Sequence, residues 1–182
     1  MRVSSIINEA NRIREDYGER PSFKDICRSE GILMLQSPMG TEECSLKGFI
    51  VRMVGKIAIT VNSDISDELK DIINWHEVAH YFLHVRTGLM ESVNDSSLYD
   101  RASESELEAN LLAAELQLND DDVYEALREN GDFYAAAESL CVPPDLLSFK
   151  LNMMEHKGYN IPHADFGARG DYLARFNDRR QY

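Results

Sequence analysis

Residues 72–84 read Ile72-Ile73-Asn74-Trp75-His76-Glu77-Val78-Ala79-His80-Tyr81-Phe82-Leu83-His84. Ser66 or Asp67 can cap a helix ahead of this stretch, and the spacing predicts that helix from about Asp67 to His84. Each helical residue turns by about 100°, so His76 and His80 point the same way, one turn apart, and can reach one ion. Glu77 is about 100° round from His76. It is badly placed to be a ligand and well placed to reach a water held on the ion. Two imidazoles that hold a metal and a neighbouring carboxylate that takes a proton form the division of labour of metal-assisted hydrolysis.

The surroundings strengthen this reading. By composition alone, H-E-x-x-H arises in on the order of one chain in a hundred. Here the flanking residues Ile72, Ile73, Trp75, Val78, Ala79, Phe82 and Leu83 are apolar, so the helix is expected to be largely buried. Buried polar groups need partners, and a metal supplies them. The alternative is a pair of core histidines satisfied by hydrogen bonds. His84 continues the ladder, but eight residues span about 12 Å of rise, and one ion cannot bridge that. His84 is read as supporting the metal ligands from behind or as facing the cleft, or equally as a helix-end histidine with no metal role.

A catalytic zinc takes three protein ligands and keeps one open position. Glu104, Glu106, Glu108 and Glu115 on a following helix are candidates for the third, with Asp95 and the remaining histidines. Glu104, Glu108 and Glu115 fall near one side of that helix, which puts Glu108 at the border of the stripe marked by Leu111 and Leu112. Spacing alone leaves the choice open.

Working outward, residues 3–17 place Val3, Ile6, Ile7, Ala10, Ile13 and Tyr17 at helical spacing, with Gly18 as a stop. A short helix is expected between Ser22, its N-cap, and Gly31. Ile32–Leu35 reads as a short buried strand. Lys47–Val54, then Gly55-Lys56, then Ile57–Asn62 reads as a β-hairpin. Residues 87–103 carry Gly88, Asn94, Asp95 and several serines, and read as a loop. Helical periodicity returns at Glu104, followed by pieces near 120–129, 132–140 and 145–157. The predicted organisation is a core over 1–118, a helical, helix-turn-helix-like extension over 119–157, and a polar tail over 158–182.

The 182 residues suit one compact domain, 43% of them hydrophobic and 28% charged. A net charge of −13 argues against tight, sequence-independent nucleic-acid binding, which needs clustered Lys and Arg. No apolar run approaches the roughly 20 residues that span a bilayer, and the charged N-terminal stretch is unlike a signal peptide. A cytoplasmic location is expected. Cys27, Cys44 and Cys141 lie far apart without a C-x-x-C pair and are read as reduced thiols.

The segment 72–84 resembles the signature of the ImmA/IrrE metallopeptidase family, F-x-x-x-H-E-[LI]-[GA]-H-x-x-L-H. Residues 108–118, E-A-N-L-L-A-A-E-L-Q-L, resemble that family's second motif, E-A-N-x-F-A-A-E-L-L-M-P. The resemblance covers roughly residues 20–157. Asn119 replaces the usual proline, and Trp75 stands where many members have a small residue. What the resemblance implies is an α+β, mostly helical, zincin-like metallopeptidase with a small sheet, a hairpin plus one strand, beside the H-E-x-x-H helix. It implies Zn2+ held by His76, His80 and Glu108, with Glu77 as the catalytic acid/base. It also implies a cytosolic bacterial or phage-encoded protease with a protein substrate, for several members a helix-turn-helix repressor whose cleavage releases genes for mobile-element transfer, phage induction or stress response.

Some points stay open at this stage. An oxyanion donor could be His84, Tyr81, Tyr99, His156 or His163. The hairpin could bind an extended substrate as an added strand. Residues 133–157 could form a DNA-binding helix-turn-helix, although cations are few there. A non-catalytic zinc protein that sequesters a repressor or a toxin–antitoxin partner is the other alternative, and the intact Glu77 speaks against it.

Overall fold

Ser66 starts the central helix as the sequence predicts: its side chain accepts a hydrogen bond from the Leu69 amide at 3.3 Å. The computed structural model describes residues 3–42, 45–88 and 104–161. In chain order these form α1 (Val3–Tyr17), α2 (Phe23–Glu30), β1 (Leu33–Ser37), β2 (Gly48–Met53), β3 (Lys56–Asn62) and α3 (Asp67–His80). A single π turn (Tyr81–Val85) extends α3, and α4 (Glu104–Gln117), α5 (Asp120–Asn130), α6 (Phe133–Ser139) and α7 (Pro144–His156) follow. This is the expected α+β arrangement, mostly helical with one small sheet.

The sheet order is β1-β3-β2, with β1 parallel and β2 antiparallel to β3. The hairpin turns at Val54-Gly55, both with positive φ (46° and 77°), the pair a tight two-residue turn needs. β3 is buried from Ala58 to Asn62 and α3 packs against it and β2. β1 departs from expectation. Leu33, Met34 and Leu35 are exposed rather than buried, because an edge strand against only β3 lacks a covering layer. Among the described residues no helix is long and apolar enough to cross a membrane.

α3 also packs against α4, and α4 packs in turn against α1 and α7. Every residue of α4 from Glu108 to Leu116 is buried, so this helix lies within the molecule rather than along its surface. Its one buried acid near the C-terminal end, Glu115, meets three cations. Arg14 Nη1 (2.9 Å), Lys150 Nζ (2.8 Å) and Lys157 Nζ (2.8 Å) all reach it. Asp120 shares the two lysines at 2.5 and 2.6 Å. Lys150, one of the three cations that a DNA-reading helix at 145–157 would have presented with His156 and Lys157, is thus fully enclosed. Asn119 has a local role: its side chain accepts from the Asp121 amide at 2.9 Å and caps α5. Trp75 packs edge-on against Phe23 with centroids 5.7 Å apart, joining α3 to α2.

Candidate metal centre

The two imidazoles of α3 converge. His76 Nε2 and His80 Nε2 lie 3.0 Å apart, and the rings meet edge to face. Opposite them, from the first turn of α4, comes Glu106. Its Oε2 is 3.3 Å from His76 Nε2 and its Oε1 is 3.3 Å from His80 Nε2, so one carboxylate straddles both rings. Donor atoms of the three lie within 4.8 Å of one another. The histidine side chains are almost fully enclosed, whereas Glu106 is 37% exposed, so the group opens on the Glu106 side.

Glu108 lies elsewhere. Two residues along a helix differ by about 200° in direction, so Glu106 and Glu108 cannot both face α3 in the same way. Glu108 Oε2 lies 3.9 Å from His84 Nε2. The structure therefore groups Glu106, and not Glu108, with His76 and His80. Glu104, at the very start of α4, is exposed, and Glu115 belongs to the lysine cluster. Asp95, Tyr99, His163 and Cys44 fall outside the described residues. His156 is exposed on α7 and bonds the Asn152 carbonyl. Tyr81 turns away from the histidines and donates to Glu30, which also accepts from Tyr17 at 2.5 Å.

Electrostatics match this geometry. Burial works against charge on His76, but the adjoining Glu106 carboxylate wins and raises its pKa. Burial, and then the charge on His76, lower His80 to about 4. Glu106 is held well below the usual carboxylate range by the two imidazoles, despite its own burial. Glu77 is different: burial pushes its carboxyl up to about 7. It lies under the sheet at Gly48, where a Cβ would stand 3.5 Å from Glu77 Oε1 and only 2.4 Å from Ile73 Cγ2. β2 can pass this close over α3 because residue 48 has no side chain.

Two convergent imidazole nitrogens at 3.0 Å with a carboxylate across them form a donor set for a divalent cation, which would displace the proton that Glu106 favours on His76. The opposite ring nitrogens, Nδ1 of His76 and of His80, are buried and find no hydrogen-bond partner among the described residues. That leaves the Nε2 atoms as the ones turned toward a shared ligand, and these residues fit a metal ion.

A family model, the IrrE N-terminal-like domain of M78 peptidases, matches residues 27–152, well over half of the chain. The chain belongs to this family. The match spans α3, the hairpin and α4, and so contains every residue of the group just described. None of the curated proteins and none of the solved structures matches the chain. For this M78 chain, Glu106 was among the acids the sequence offered, but α4 carries no one-sided apolar stripe that could have singled it out. Asn110, one turn beyond Glu106, supports protonation of His76 and was not anticipated. Gly48 was not anticipated either, since only the packed sheet makes its missing side chain matter.

Proposed function

We propose that the chain is a zinc-dependent endopeptidase in which His76, His80 and Glu106 hold the ion and Glu77 is the general base. The observation that carries this is the convergence of the two Nε2 atoms and Glu106, with a buried carboxyl, Glu77, on the residue next to His76. When bound, zinc supplies an acidified water and polarises a peptide carbonyl.

The rest belongs to this chain's side chains. A carboxyl with a pKa of about 7 can take a proton and return it near neutral pH, which suits a group that first accepts from water and then gives to a leaving amine. Enclosure of His76 and His80 keeps bulk water from competing for them, while the partly open Glu106 leaves an entry side. β2 is an edge strand of the sheet and runs past Glu77, so an extended peptide added to that edge would cross the reactive carboxyl. The substrate we propose is a helix-turn-helix repressor encoded beside this gene, cleaved in the cytoplasm.

The test is to purify the protein, measure bound zinc, and incubate it with the repressor of the adjacent gene while following fragments by mass spectrometry. Cleavage should require zinc and fall roughly 10²–10⁴-fold in Glu77→Gln, which should keep its metal. Zinc-loaded wild-type protein that leaves the repressor whole removes the substrate assignment. Metal loss in Glu77→Gln equal to that in His76→Ala removes the separation of roles.

A further inference from the structure

His84 is a buried histidine that the proposed chemistry does not use. The helix that carries it does not continue as an α-helix. After His80 the backbone widens into the π turn, closed by the Arg86 amide on the Tyr81 carbonyl at 2.8 Å. In an α-helix four residues advance 400°, so each successive histidine drifts by about 40° round the axis. A wider turn takes fewer degrees per residue and cancels that drift. His84 is therefore brought back beneath His80, with ring centroids 5.3 Å apart.

There it meets α4. His84 Nε2 lies 3.3 Å from the Ser105 carbonyl and 3.9 Å from Glu108 Oε2. Both are acceptors, so Nε2 carries the proton and donates. Ser105 immediately precedes Glu106. The donor thus grips the backbone of the first turn of α4 at the residue next to the carboxylate that straddles His76 and His80.

We infer that His84 is a positioning residue: from the π turn it holds the Ser105 carbonyl and thereby fixes Glu106 against the two imidazoles. The inference rests on the reading of His76, His80 and Glu106 as the metal-holding group. The π turn is the segment that carries the ring to α4's first turn. It also assigns Glu108 a place, as the second acceptor facing the same N–H.

The experiment is a double-mutant cycle on metal affinity in the full-length protein, by competition with a chromophoric chelator for zinc. A cobalt(II) titration read in the visible region reports on the ligand set. His84→Phe should raise the zinc Kd about 10–100-fold, the usual cost of losing a group that orients a ligand. His84→Gln, which keeps an N–H at similar reach, should recover most of it, and in a Glu106→Gln background His84→Phe should change the Kd less than about threefold. If His84→Phe does not fold, as judged by circular dichroism, His84→Asn takes its place, being too short to reach Ser105. An unchanged Kd and cobalt spectrum in the His84 variant, or an equal loss with and without Glu106, overturns the inference while leaving the metal reading intact. Wild-type protein that binds no zinc overturns both.

Discussion

At the scale of single residues, Glu77 makes a sharp test because its burial has a sign. An unfolded glutamate titrates near 4.3 and the native one at about 7, so the native state binds this proton more tightly. The resulting stability is fully present below about 4.3 and is lost as pH rises through about 7. Metal-free wild type should therefore lose stability relative to Glu77→Gln over that window. Thermal melts of the two proteins at pH 4, 6 and 8 check it; a constant difference would mean the carboxyl is not buried as described. Glu106→Gln should weaken zinc binding by more than the roughly 10–100-fold expected for an outlying group, and Glu108→Gln by no more than that. Chelator competition on the two variants decides between the acids, and the reverse ranking would return the third ligand to Glu108. The convergence of His76 and His80 was legible because four-residue spacing fixes direction on any α-helix. The choice between Glu106 and Glu108 was not, because α4 is buried on every side over Glu108–Leu116 and its sequence marks no inner face.

At the scale of elements, the hairpin and the helices follow their local signals closely. Ser66, Asn119 and Asp132 each cap a helix with a side-chain oxygen, and Gly31 ends α2 in the left-handed conformation. What escaped the sequence depends on layers rather than on local chemistry. Ile32–Leu35 carries the residues of a buried strand, yet of these only Ile32, just before β1, is buried, while Leu33, Met34 and Leu35 lie on an edge strand paired with β3 on one side. Nothing in Tyr81–Val85 distinguishes a π turn from another turn of α-helix. The contact between β2 and α3 is equally non-local and rests on Gly48. Gly48→Ala puts a methyl carbon 2.4 Å from Ile73 Cγ2 and 3.2 Å from the Thr60 carbonyl oxygen, so the strand has to lift. An expected loss of about 1–3 kcal/mol in urea unfolding follows from overpacking. Peptidase activity should drop as well, since the displaced strand borders Glu77. A variant as stable and as active as wild type would mean that β2 does not press on α3.

At the scale of the whole molecule, one ionic cluster connects pieces far apart in sequence. Arg14 comes from α1, Glu115 from α4, Asp120 from α5, Lys150 from α7 and Lys157 from the residue that ends it. Lys150→Ala leaves Arg14 and Lys157 on Glu115 but removes a fully buried charge-assisted donor, so it should cost about 1.5–3 kcal/mol by denaturant unfolding. A loss under about 1 kcal/mol would mean that the cluster is solvated in solution. The cluster also bears on where the working enzyme ends. Both sequence motifs and all the proposed metal donors fall before residue 119, which invites expression of a shortened catalytic fragment. Such a fragment, residues 1–118, would keep Glu115 and lose Asp120, Lys150 and Lys157 together, along with the apolar face of α7 that covers α4. It should accumulate in inclusion bodies, and adding residues 119–161 back should restore soluble expression. The smallest active unit is then set by a carboxylate 35 and 42 residues upstream of its two lysine counter-ions, and not by the boundaries of the motifs that do the chemistry.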